Sequence, residues 1–153
     1  MKKFISVLLF CLTLFSMCSF NTFATDENSD ASIIHFDNGA YLVVKVSEIN
    51  TSRATNTKSG TKSITYKNDD NETMWKATIT GTFTYTGSSA TCTKASISYN
   101  VYADNWKMKE ATASKSGNKA IGDVTAKRYL LGIPVQTVEQ TFYLTCSATG
   151  TLS

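Results

Sequence analysis

The chain of 153 residues has one proline, one histidine and no cluster among its 15 lysine and arginine residues. Each scarcity excludes something. A single histidine, His35, rules out a multi-histidine metal site. Basic residues scattered through the chain leave no electrostatic footprint for nucleic acid and no polybasic stretch for an anionic membrane surface. Apolar residues never keep three-and-four spacing for more than about two turns, so helix is a minor component at most. No internal repeat, proline-rich stretch or glycine-rich linker divides the region after Tyr41, which predicts one domain.

What is present begins with an export pattern. Lys2 and Lys3 give a positive start, Phe4 to Phe20 is apolar with small polar interruptions, and Thr22-Phe23-Ala24 ends in a small residue. That order predicts a signal peptide over 1–24 and a mature chain beginning near Thr25. A membrane anchor is disfavoured, because the acidic, polar run from Thr25 to Asp30 follows without a basic stop-transfer flank. Cys18 as a lipidation site is disfavoured by Met17, since a small residue normally precedes such a cysteine. Without Lys2 and Lys3 the net charge falls from +3 to about +1. The remaining region, about 129 residues, is long enough for a substantial core. Residues 25–39 are polar and weakly patterned and read as a flexible leader, with the folded domain spanning 40–153.

Two of the four cysteines fall inside the signal, leaving Cys92 and Cys146. In an exported chain the expectation for such a pair is a disulfide. Closing a loop of about 55 residues would contribute about 4 kcal/mol in the chain-entropy picture.

The mature sequence reads as strand, turn, strand. Trp75, Ala77, Ile79, Gly81, Phe83 and Tyr85 alternate with Lys76 and five threonines, a period of two kept over a dozen residues. Gly81 in mid-strand suggests a bulge or bend. Gly87-Ser88-Ser89 turns the chain into Ala95, Ile97, Tyr99, Val101 and Ala103, which alternate again. Trp106 and Met108 mark a shorter strand, and Ser116-Gly117-Asn118 leads to Ala120, Val124, Ala126 and Leu130. Gly132-Ile133-Pro134 reverses the chain toward Val138, Phe142, Leu144, Cys146 and Ala148. Leu42, Val44, Val46, Ile64 and Tyr66 extend the pattern upstream, giving about seven strands. Consecutive hairpins with one apolar face each bury those faces against one another, so the expected fold is an all-β antiparallel sandwich. Cys92 has the opposite parity to Ile97, which predicts a bulge near Thr93-Lys94 or a change of sheet. Trp75, Ile79, Phe83, Val124, Phe142 and Leu144 are the expected core; Thr78, Thr80, Thr82, Thr84 and Thr141 are expected at the surface.

Chemistry is sparse. His35 and Asp37 could join a serine on paper, but nothing resembles a nucleophile elbow, so His35 reads as an exposed or packing residue. Asp69, Asp70, Asn71 and Glu72 are a dense oxygen cluster and a weak calcium candidate. The alternating spacing and central glycine of a calcium loop are missing, and a hairpin turn explains these residues as well. The twelve acids prefer no pair for a glycosidase. Tyr102 sits on the polar face beside Asp104 and Asn105, and these three are the candidate binding residues.

The stretches 81–93, 113–118 and 127–138, among them Gly81-Thr82-Phe83-Thr84-Tyr85 and Leu130-Leu131-Gly132-Ile133-Pro134, resemble an uncharacterised family of small exported proteins from Gram-positive gut bacteria. The resemblance covers about the last 80 residues and implies secretion and an all-β domain; it supplies no functional residues. The expectation is a secreted, non-enzymatic binding module without a cofactor, held by an envelope glycan or protein. No sorting signal is evident at the C-terminus, so any association with the envelope is expected to be non-covalent. A small membrane-active toxin and a secreted hydrolase are the alternatives.

Overall fold

The computed structural model describes residues 31–49 and 56–153. The signal 1–24 and the first part of the leader lie outside the described residues. Eight strands follow in order: β1 Ala31–His35, β2 Tyr41–Ile49, β3 Thr57–Lys67, β4 Thr73–Tyr85, β5 Ala90–Val101, β6 Trp106–Ser116, β7 Lys119–Leu130 and β8 Ile133–Thr145. They form two antiparallel sheets, β1-β2-β3-β4-β5 and β6-β7-β8, each a meander in sequence order, and the chain passes from one sheet to the other between β5 and β6. No helix occurs among the described residues. The architecture is the expected all-β sandwich, with eight strands rather than about seven.

The additional strand comes from the segment read as a flexible leader. Ala31–His35 pairs antiparallel with Tyr41–Lys45 and is exposed along its whole length. Its side chains bury nothing, so no alternation in the sequence announces it; backbone pairing to β2 alone holds it at the sheet edge. β6 is also longer than its apolar pattern, because most of it beyond Met108 faces solvent.

Strand parity follows the alternation. Trp75, Ala77, Ile79 and Phe83 on β4 are fully buried, and Val124, Phe142 and Leu144 meet them from the second sheet. Thr84 and Thr141 are exposed, and Thr78, Thr80 and Thr82 are half-buried. The β4–β5 register shifts so that Thr82 faces Lys94 and Phe83 faces Cys92, leaving Thr93 as the extra residue. This is the bulge that the parity of Cys92 requires. The Thr93 hydroxyl donates to Thr82 O at 3.0 Å, and Lys115 Nζ reaches from β6 to Thr93 O at 2.7 Å.

Two expectations are corrected. Gly81 is not itself bulged; it faces Gly60 and Ala95 in regular register and leaves room for the Phe83 ring. Tyr99 and Leu130 have the inward parity of their strands yet are half or more exposed. Tyr99 lies on an edge strand, and Leu130 lies beyond the last β6–β7 pair, Trp106 with Arg128, where no third strand backs it. Cys92 and Cys146 carry free thiols in this structure, both buried. Cys92 Sγ contacts Lys94 O at 3.3 Å and Cys146 Sγ contacts Ser147 O at 3.5 Å.

Candidate ligand cleft at the turn end

An antiparallel meander sends alternate turns to opposite ends. Tyr41 pairs with Lys67, Trp75 with Val101, Trp106 with Arg128 and Leu130 with Ile133. The turns 36–40, 68–72, 102–105 and 131–132 therefore gather at one end of the sandwich. Exposed turns on a rigid two-sheet scaffold are where binding residues are most often carried.

Each turn has a local cause. In the first, Gly39 takes φ +81° and its N–H donates to Phe36 O at 3.1 Å, while Asn38 Oδ1 accepts from Ala40 N at 3.2 Å. In the second, Asn71 takes φ 66°, a left-handed position that asparagine tolerates. Asn68 closes that turn twice: its Oδ1 accepts from Glu72 N at 2.7 Å and its Nδ2 donates to Glu72 Oε2 at 2.9 Å. The third crosses from β5 to β6, with Tyr102 N and Ala103 N donating to Met74 O, and Asn105 O accepting from Tyr129 N at 2.7 Å.

Between these turns lies a cleft of about 540 Å³. Asp69, Asp70, Glu72, Asn105 and Arg128 line it together with the buried Tyr66 and Trp106. A neighbouring cavity of about 350 Å³ shares Asn38, Tyr66 and Gln136 and adds Asp37 and Glu139. Gln136 Nε2 donates to the Tyr66 hydroxyl at 2.9 Å where the two cavities meet. Beneath them, Tyr66 stacks on Trp75 at 5.4 Å with a 4° interplanar angle, and Trp106 and Phe36 tilt against it at 5.1 and 5.8 Å. The aromatic cluster makes the floor rigid; the rim carries carboxylates, amides and one guanidinium.

The structure brings together two groups of residues that sequence separates. Asp69, Asp70 and Glu72 share the cleft with Asn105. Asn71 does not face it: its carbonyl and Oδ1 accept from Lys67 Nζ at 3.1 and 2.9 Å, and Tyr41 OH also bonds to its side chain. Tyr102, 58% exposed, and Asp104 sit on the adjoining loop outside the lining. No group of three or more histidine, cysteine or acidic side chains is placed to share an ion among the described residues. His35 is exposed, its ring 5.7 Å from that of Tyr41. Asn38, Tyr66, Arg128 and Gln136 escape sequence reasoning, because only the packing of one sheet on the other brings them together.

No family model, curated protein or solved structure matches the chain.

Proposed function

We propose that this is an exported, non-enzymatic binding module that holds a polyhydroxylated ligand, an envelope glycan, in the cleft at the turn end. The observation that carries the reading is the composition of the rim. Asp69, Asp70, Glu72, Asn105 and Gln136 supply acceptors and donors suited to sugar hydroxyls, beside a buried aromatic cluster to which Gln136 is bonded through the Tyr66 hydroxyl. The net charge of about +1 after signal removal and the export pattern of residues 1–24 fit such a role outside the cell. The resemblance to small exported proteins of Gram-positive bacteria belongs to the same reading. So does oxidation of Cys92 and Cys146 on export: their backbone N–H groups donate to Gly117 O and Asn118 O, so both cysteines border one turn.

A glycan and envelope-extract binding screen with the exported protein tests the proposal. Binding that is lost in Gln136→Ala and in Asp70→Asn, with unchanged thermal unfolding, supports it. Binding unaffected by both substitutions, or none to any glycan, rejects it. Turnover of a bound glycan that disappears in Asp70→Asn would replace it by the hydrolase alternative.

A further inference from the structure

The β7–β8 hairpin ends in a feature that folding does not explain. Its loop is two residues, Leu131 and Gly132, at φ 50° and 83°. Two consecutive positive φ values define the turn for which asparagine followed by glycine is the favoured pair. Leucine is a poor choice there, since its Cβ crowds the backbone in the left-handed region. It is nevertheless 96% exposed, and Leu130, Ile133 and Val135 around it are 62%, 65% and 54% exposed. These four apolar side chains stand on an overhang, because β6 stops pairing at Arg128.

Cations from two strands surround the base of this tip. Lys107 and Lys127 are cross-strand partners, and Arg128 faces Trp106. Lys107 Nζ and Lys109 Nζ lie 5.3 and 5.6 Å from the centre of the Tyr129 ring, which places both ammonium groups at the level of Tyr129. At about 3.3 Å per residue, that level is about 7 Å behind Leu131. Glu110 and Glu139 face Thr125, farther from the tip; Asp104 is on the neighbouring loop, and Asp69, Asp70 and Glu72 share the cleft with Arg128, which leaves Lys107, Lys109 and Lys127 as the cations behind the tip.

We infer that this hairpin tip docks the protein on an anionic lipid surface, with Leu130, Leu131 and Ile133 entering the acyl boundary and the Tyr129 collar at headgroup depth. The depth fits, since interfacial elements bury their apolar part about 5 to 10 Å into that boundary. Tyrosine belongs at the interface, and lysines behind an apolar tip gain from anionic headgroups. A convex projecting tip with a charged collar suits a deformable, negatively charged surface. The contact is peripheral: the apolar faces of β4 and β7 are already used in the core, and among the described residues no helix is long and apolar enough to cross a membrane. The inference does not depend on the cleft.

Co-sedimentation of the exported protein with vesicles tests it, comparing phosphatidylcholine alone with phosphatidylcholine containing phosphatidylglycerol. Binding is expected only to the anionic vesicles, weakened by salt and without release of a trapped dye. Leu131→Asn supplies the residue the turn prefers, so it should unfold no earlier than the parent while its vesicle affinity falls about tenfold or more. Lys107→Gln with Lys109→Gln should weaken binding and flatten its salt dependence. Failure of the parent protein to bind anionic vesicles overturns the inference, as does undiminished binding by Leu131→Asn. Self-association in solution that Leu131→Asn abolishes, with no vesicle binding, would assign the tip to a second copy instead.

Discussion

The ring of Phe83 lies over Gly81: a Cβ on that glycine would come within 2.6 Å of Phe83 Cε2 and 3.0 Å of the Ala120 Cβ on the opposite sheet. Phe142 covers Gly122 in the same way, with its ring 2.9 Å from where a Cβ would stand. An aromatic side chain covering a strand glycine fills the space the glycine leaves, and here both contacts lie at the junction of the sheets. Gly81→Ala should therefore cost about 1 to 3 kcal/mol by overpacking, and Phe83→Ala about 3 to 5 by the cavity it leaves. The double variant should be less unstable than the two costs added, because the new methyl enters the space of the lost ring. Urea unfolding measures all three; additive costs would mean that the two residues do not share that space. Thr84→Ala, exposed on the other face, should cost well under about 1 kcal/mol.

Leu131→Asn should stabilise the domain slightly, by up to about 1 kcal/mol, since asparagine tolerates the left-handed backbone at φ 50° and no buried contact is lost. The measurement is the thermal midpoint. A clear drop would show that Leu131 has a packing role that its exposure hides.

The turn at 68–72 should depend on Asn68 and be indifferent to calcium. Removing the Asn68 side chain deletes two hydrogen bonds to Glu72, one of them to a carboxylate, and Asn68→Ala should cost about 1 kcal/mol. The Asn71 oxygens are engaged by Lys67 and Tyr41. Calcium or a chelator should accordingly leave the unfolding curve in place; a calcium-dependent rise in midpoint would reinstate Asp69, Asp70, Asn71 and Glu72 as an ion site.

Burial pushes both thiols above their ordinary pKa of 9.0, Cys92 against the opposing pull of Lys115, and Cys146 against that of Lys58 with a smaller push from Cys92. In the reduced protein the folded state thus holds its thiol protons to higher pH than the unfolded chain. Their contribution to stability is complete below pH 9.0 and is lost as pH rises through the raised folded values. Reduced protein should unfold more easily above that pH, and Cys92→Ala with Cys146→Ala should remove that part of the pH dependence. In protein recovered from culture medium the pair should instead be joined, so that thiol labelling after denaturation finds none; two free thiols there would refute oxidation on export.

Mass spectrometry of the same exported material should find a chain beginning near Thr25. An intact Met1 on the functional form would refute cleavage at residue 24.

Much of the fold follows from local pattern. A period of two over residues 75–85 determines which face of β4 is buried, whatever lies opposite, because successive side chains must point to opposite sides of a strand. The parity of Cys92 requires a bulge near Thr93-Lys94 or a change of sheet, and the β4–β5 register selects the bulge. Turns built on Asn71, Gly87 and Gly117 follow from backbone geometry that few other residues adopt.

The tertiary structure decided what local pattern cannot carry. Ala31–His35 becomes a strand only because β2 offers it an edge, and an exposed edge strand needs no hydrophobic alternation. Asp69, Asp70 and Glu72 meet Asn105, Arg128 and Gln136 only where one sheet packs on the other. Lys107 and Lys127, scattered in the sequence, become neighbours through the β6–β7 register, and the same register ends at Arg128 and leaves Leu130 and Leu131 projecting into solvent. Pairing within a strand's own face is a property of adjacent residues; the gathering of turns, charges and an overhanging tip depends on register and on sheet packing, which arise from contacts between residues far apart in the chain.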